Sequence, residues 1–246
     1  TFPKEAYISW SKNNLTLAAG RLKTGIGLGE ANLFLNGQAF WYDQMQLSWW
    51  SEKFRFFYFW GTSSSHLNDE EYAVQSNIDP GNTGDILGWD ANDNHDYSTQ
   101  SLTALKMFTY HRLEFKPFRW LGLGLGEMQM IGGKTPDFAN LMPLMIWHNT
   151  YSSGTTNVMM LADVWTVPLP GVLVYGEFLM DDSRSPSEDK TSKPNCWGWE
   201  AGATTVLPVA PKGWTFTVNV EYSHVDEWTY NRWQPYLTMY QRQILT

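Results

Sequence analysis

The chain has a single cysteine, Cys196, and so can form neither an internal disulfide nor a structural zinc site of its own. Positive charge is also scarce: 17 Lys and Arg stand against 25 Asp and Glu, a formal net charge of -8. That balance argues against a nucleic-acid partner, which needs a basic face to neutralise phosphates. Long apolar runs are missing too. The longest uncharged stretch, Phe138 to Ala162, is broken by Pro143, His148, Asn149 and the polar residues 152–157, so no α-helical membrane span is present. No basic segment followed by an apolar run opens the sequence, and any secretion signal is expected to have been removed or to lie outside it.

Catalytic signatures are absent as well. There is no Gly-x-Ser-x-Gly elbow, phosphate loop, His-Glu-x-x-His or paired-cysteine metal motif. The chain therefore reads as non-enzymatic and without a cofactor. His111, His148 and His224 with Ser or Asp partners could build a lipase-like site in a barrel wall; the plainer role of His148-Asn149 is to order a long connection. Asp90, Asn92, Asn94 and Asp96 place oxygen ligands at alternate positions, as hard-cation loops do. The Gly and Glu of an EF-hand are missing there, which leaves a looser calcium contact or a solvated acidic loop.

What is present is aromatic. Rings make up 16% of the residues, with 14 Trp, while the hydrophobic fraction of 43% is ordinary. A membrane-spanning barrel combines these features, because alternate residues face lipid and lumen while aromatic girdles collect at both interfaces. A Trp-rich carbohydrate-binding sandwich is the alternative. Period-two alternation recurs in segments of roughly ten residues. Eleven such segments can be drawn, centred near Tyr7, Leu17, Met45, Phe57, Thr109, Leu125, Leu161, Tyr175, Ala203, Val218 and Met239.

The connections alternate in length. Short turns are expected at residues 12–14, 52–53, 117–119, 168–171 and 208–213, and long excursions near 24–38, 65–101, 132–155 and 183–195, with a shorter one near 226–234. An up-and-down barrel with tight periplasmic turns and long outer loops produces this pattern, whereas a Greek-key sandwich scatters its loop lengths. The expected fold is thus one all-β domain over residues 1–246, an antiparallel up-and-down transmembrane β-barrel. Eleven is odd, and strand parity creates the expectation that at least one strand precedes Thr1. The Gly-, Asn- and Leu-rich excursions 24–38 and 132–149 are too apolar for wholly exposed loops and are expected to plug the lumen.

Parity also sorts the side chains. Gln44, Gln46 and Ser48 oppose Met45, Leu47 and Trp49. Lys106, Tyr110, Arg112, Glu114 and Lys116 oppose Met107, Leu113 and Phe115, and Thr215, Thr217, Asn219 and Glu221 oppose Phe216, Val218 and Val220. Glu177, with Tyr175, and Glu200 complete the inward set. Charges at membrane depth need partners, so Arg112 is expected to pair with glutamates of neighbouring strands, either as a rigidifying lattice or as a ligand site. Glu127 shares parity with Leu123 and Leu125; a bulge near Gly124 to Gly126 would turn it inward.

Two stretches resemble a known family. The first is Gly20-Arg21 with Gly25-Ile26-Gly27, Asn32-Leu33-Phe34 and Tyr42-Asp43-Gln44. The second runs from His111-Arg112-Leu113-Glu114 through Gly126-Glu127, Gly132-Gly133-Lys134, Asn140, Pro143, His148-Asn149, Asn157 and Asp163 to Tyr175-Gly176-Glu177 and Asp181-Asp182. In order and spacing these are similar to the outer-membrane barrels that include the capsule assembly protein Wzi. Lys134 stands where that family more usually has Arg. The resemblance implies a multi-pass barrel in the outer membrane of a Gram-negative cell, bounded by lipid and lipopolysaccharide and tied to capsular or other surface polysaccharide. Parity and resemblance together make Arg21, Gln44, Gln46, Tyr110, Arg112, Glu114, Glu127, His148, Asp163, Glu177, Glu200 and Glu221 the chain's candidate ligand or lumen residues. A porin-like channel for small solutes is the alternative reading.

Overall fold

The computed structural model describes residues 4–35, 37, 41–63, 68, 70–71, 106–132, 136–148, 156–184, 186–189, 194–209, 213–232 and 234–239. Ten strands lie in one antiparallel sheet whose spatial order is the chain order. They are β1 (Ala6–Lys12), β2 (Leu15–Leu22), β3 (Tyr42–Trp50), β4 (Phe54–Ser63), β5 (Lys106–Phe118), β6 (Leu121–Ile131), β7 (Thr156–Leu169), β8 (Val172–Asp182), β9 (Cys196–Val209) and β10 (Trp214–Val225). Among the described residues two short 3-10 turns form, Phe138–Leu141 and Pro235–Leu237. No helix among the described residues is long and apolar enough to cross a membrane.

The turn chemistry explains the meander. Asn13 takes a positive φ of 53° between β1 and β2, and Pro170 with Gly171, at φ 82°, closes β7 on β8. All long connections leave from the opposite end of the sheet. Loop 65–101 lies almost entirely outside the described residues, and with it Asp90, Asn92, Asn94 and Asp96.

The sheet is curled. Thr24 bonds Gln44 on β3 and Leu28 bonds Glu177 on β8. In a flat sheet those strands would lie about 24 Å apart. Four residue steps reach at most about 14 Å, so the wall bends around the segment that touches both. The face covered by residues 24–35 is the inner face. It carries the apolar core, in which Ile26, Leu33 and Phe34 of the segment meet Tyr42, Phe59, Phe108, Tyr110, Met128, Met159 and Leu179 of β3 to β8. The sheet is not closed: β1 and β10 are its two edges.

Three expectations are corrected here. Among the described residues no strand leads up to Met239; residues 234–239 instead turn back through Pro235–Leu237 onto the inner face, where Thr238 and Leu237 accept from Lys106 Nζ at 2.8 Å and Asn157 Nδ2 at 3.2 Å. Tyr236 and Leu237 are almost fully buried there, and that apolar burial favours the turned-back path. The register of β5 with β6 is continuous through Gly124–Gly126, so no bulge turns Glu127 inward. Residues 136–148 also do not enter the interior; they fold over the outer face of β4, β5 and β6.

Candidate functional site

Nine of the sequence-derived candidates share the inner face. Gln44 and Gln46 on β3, Tyr110, Arg112 and Glu114 on β5, Asp163 on β7, Glu177 on β8, Glu200 on β9 and Glu221 on β10 all have the parity of the core cluster. Arg21, Glu127 and His148 do not join them.

Arg112 is the buried centre of the first group. Its Nη2 donates to Asp163 Oδ1 at 2.8 Å, its Nη1 meets Asp163 Oδ2, and its Nε donates to Glu114 Oε1 at 3.1 Å. Its partners therefore lie on its own strand and two strands away, rather than among neighbouring-strand glutamates. The reason is Gly124 on the intervening strand: a Cβ there would collide with both the guanidinium and the Asp163 carboxylate. Gly122, which leaves room for the Trp165 ring, works in the same way. The glycines of β6 are thus windows through which large side chains of β5 and β7 meet, and their presence marks crossing contacts, not a bulge.

The second group holds residues 24–35 in place by their backbone. Thr24 Oγ1 donates to Gln44 Oε1 at 2.9 Å and accepts from Gln46 Nε2 at 2.6 Å. Leu28 N–H donates to Glu177, and Glu30 and Ala31 N–H each donate to Glu221 at 2.8 Å. Tyr175 Oη donates to the same Glu221 carboxylate at 2.5 Å. Glu200 faces Glu177 in register and is buried against Gly29, where any side chain would strike the Glu200 and Glu221 carboxylates. Beyond β10, Tyr230 Oη donates to Leu33 O at 2.6 Å and its N–H to Asp181 at 2.7 Å. Burial pushes the Tyr230 phenol up, so it stays a donor.

No protein-family model, curated protein or solved structure matches the chain.

The outer face carries the remaining candidates. Arg21 pairs with Asp43 through two bonds of 2.9 and 2.8 Å, cross-strand neighbours on the side of Leu17 and Met45. Glu127 accepts from the backbone N–H of Trp147 at 2.8 Å and of His148 at 3.3 Å. Tyr58 Oη donates to Leu141 O at 2.7 Å, and His111 Nδ1 to Pro143 O at 2.9 Å while its ring stacks on Trp147. Residues 136–148 form a strap whose polar backbone is satisfied toward the sheet, while Phe138, Leu144 and Ile146 point away from it, 79, 78 and 62% exposed. Arg55, Trp165 and Asp181 are inner-face residues that parity alone did not single out; Arg55 alternates with Phe57 and Phe59 in a strand so aromatic that its two faces look alike.

Proposed function

We propose that this chain forms the wall of an outer-membrane β-barrel that holds a surface polysaccharide, of the capsule type, without catalysing a reaction. The membrane part rests on the outer face. Leu17, Met45, Leu113, Leu125, Val164 and Val220 are exposed there, with Trp10, Trp49 and Trp214 toward the short turns and Trp197, Trp199 and Tyr222 toward the other rim. Trp214 and Tyr222 on β10 are separated by about 27 Å along the strand. At a tilt near 40° that is about 21 Å along a barrel axis, close to the ~25 Å apolar band of such barrels. Exposed leucine and valine in a continuous band flanked by indoles suit hydrocarbon better than water. Lipid and lipopolysaccharide are then the partners of this face.

The observation that carries the functional part is the path of residues 24–35, which cross the inner face and are bonded from β3 to β10. A diffusion channel keeps a water-filled interior; here its middle is occupied by a segment fixed to four side chains of the wall, Gln44, Gln46, Glu177 and Glu221. The resemblance to the Wzi-type barrels points the same way.

The test is planar-bilayer conductance of the purified protein together with retention of labelled capsular polysaccharide in detergent. Low conductance with retention is the expected result. A large steady conductance without retention would replace this reading with the solute channel.

A further inference from the structure

Between residues 25–28 and the short-turn rim lies a cavity of about 420 Å³, within the range of small-molecule sites. Its wall carries Arg55, Phe57, Arg112, Glu114, Lys116 and Trp165. The opposite side is formed by residues 25–28, where Ile26 and Leu28 alternate with the glycines at 25 and 27.

The cations of this cavity are unevenly neutralised. Arg112 is committed to Asp163 and Glu114. Arg55 reaches the same Glu114 only at 3.6 Å, with half of its side chain exposed, and Lys116 has no acidic partner among the described residues. Both instead lie against rings: Arg55 Cζ is 5.7 Å from the Phe57 centroid and Lys116 Nζ 5.4 Å from that of Trp165. A protein with a net charge of -8 thus concentrates positive charge at one lined hollow. Exposure falls from Lys116 and Arg55 at the rim to fully buried Tyr110, so entry is from the short-turn side, with the apolar core behind.

Cations and aromatic faces side by side are the recognition chemistry of a ring that has an apolar face and a carboxylate on its edge. We infer that this cavity is a subsite for an acidic sugar, a uronate unit of the polysaccharide, with its carboxylate on Arg55 and Lys116 and its ring face on Trp165. The inference rests on the polysaccharide reading above. In that reading the short turns are periplasmic, and the subsite meets the polymer from that side.

The experiment is isothermal titration of the full chain in detergent with a glucuronate-containing hexasaccharide and with its carboxyl-reduced, neutral counterpart. Arg55→Gln and Lys116→Gln are titrated alongside; both residues stand at the rim, and heat-modifiable mobility on a gel checks that each variant is folded. The acidic hexasaccharide is expected to bind about tenfold more tightly than the neutral one, and each variant to lose about that factor for the acidic form alone. Equal affinity for both forms, or variants that bind the acidic form unchanged, overturns the uronate subsite and leaves polysaccharide binding standing. Binding of neither form overturns both.

Discussion

Glu127 holds Trp147 by its backbone: the carboxylate accepts the Trp147 N–H at 2.8 Å, on the face of the sheet opposite the one that carries Arg112. A carboxylate among Leu121, Leu123 and Leu125 is expensive in an apolar setting unless its oxygens are bonded. The strap supplies those bonds with N–H groups of its own, which would otherwise be unpaired at the same depth. Each side satisfies the other.

Glu127→Ala is therefore expected to release residues 136–148 without opening the sheet. Losing the acceptor for the buried Trp147 N–H costs about 1–3 kcal/mol, and for the part-buried His148 N–H less. Hydrogen–deuterium exchange should rise at Trp147 and His148 and stay unchanged in β5 and β6. Uniform protection across the strap would show that stacking of His111 on Trp147 and packing hold it alone.

The Arg112–Asp163 pair behaves differently, because both charges are buried. Asp163→Ala leaves a guanidinium with Glu114 alone and is expected to destabilise by about 3–5 kcal/mol, whereas Arg112→Met with Asp163→Leu should recover most of that loss. Gly124→Ala is expected to match the single variant in severity, since its methyl group would occupy the space in which the pair meets. Urea titrations in detergent, read by tryptophan fluorescence, separate these cases; a mild Gly124→Ala effect would mean the pair can reroute around a side chain.

How much of this was legible follows from the physics of each signal. Strand periodicity, five tight turns and the polar rows Gln44-x-Gln46 and Thr215-x-Thr217 are local properties, and the ten observed strands coincide with ten of the eleven drawn. The face of Arg21 was not legible, because Leu17-Ala18-Ala19-Gly20 contrasts little from one side to the other. Glu127 was misread for a different reason: a charged residue on an apolar outer-face row signals a covering partner, and that partner comes from residues about twenty positions away. The glycines of β6 carried a true signal whose meaning depended on side chains of two other strands. That chain segment 24–35 lies inside while 136–148 lies outside depends on which buried groups answer their N–H groups, and both segments are apolar enough to be covered on either face.

Residues 28–31 are fixed by carboxylates, so removing those acceptors should loosen the segment. With Glu221→Ala, the N–H groups of Glu30 and Ala31 lose their acceptor and Tyr175 its partner. Faster amide exchange at those two residues, with Thr24 still protected by Gln44, is the expected pattern. If the interior is a plugged barrel, the variant should also conduct more than the parent in a planar bilayer. Unchanged exchange would place the hold on this segment in Ile26, Leu33 and Phe34 instead.

The outer face gives the sharpest test of the membrane reading, because water and hydrocarbon treat it oppositely. Leu125 is 66% exposed and Val220 67% exposed, so in an aqueous sheet Leu125→Arg or Val220→Arg should change stability by no more than about 0.5 kcal/mol. In a bilayer an arginine on the lipid side near the midplane costs about 2–4 kcal/mol and near an interface about 0–1. Leu125 and Val220 sit mid-strand, whereas Trp214 marks a strand end. Folding into phospholipid vesicles should therefore be weakened strongly by the first two substitutions and little by Trp214→Arg. Equal and negligible effects at all three positions would sink the membrane assignment and leave a water-exposed sheet with an unusually apolar face.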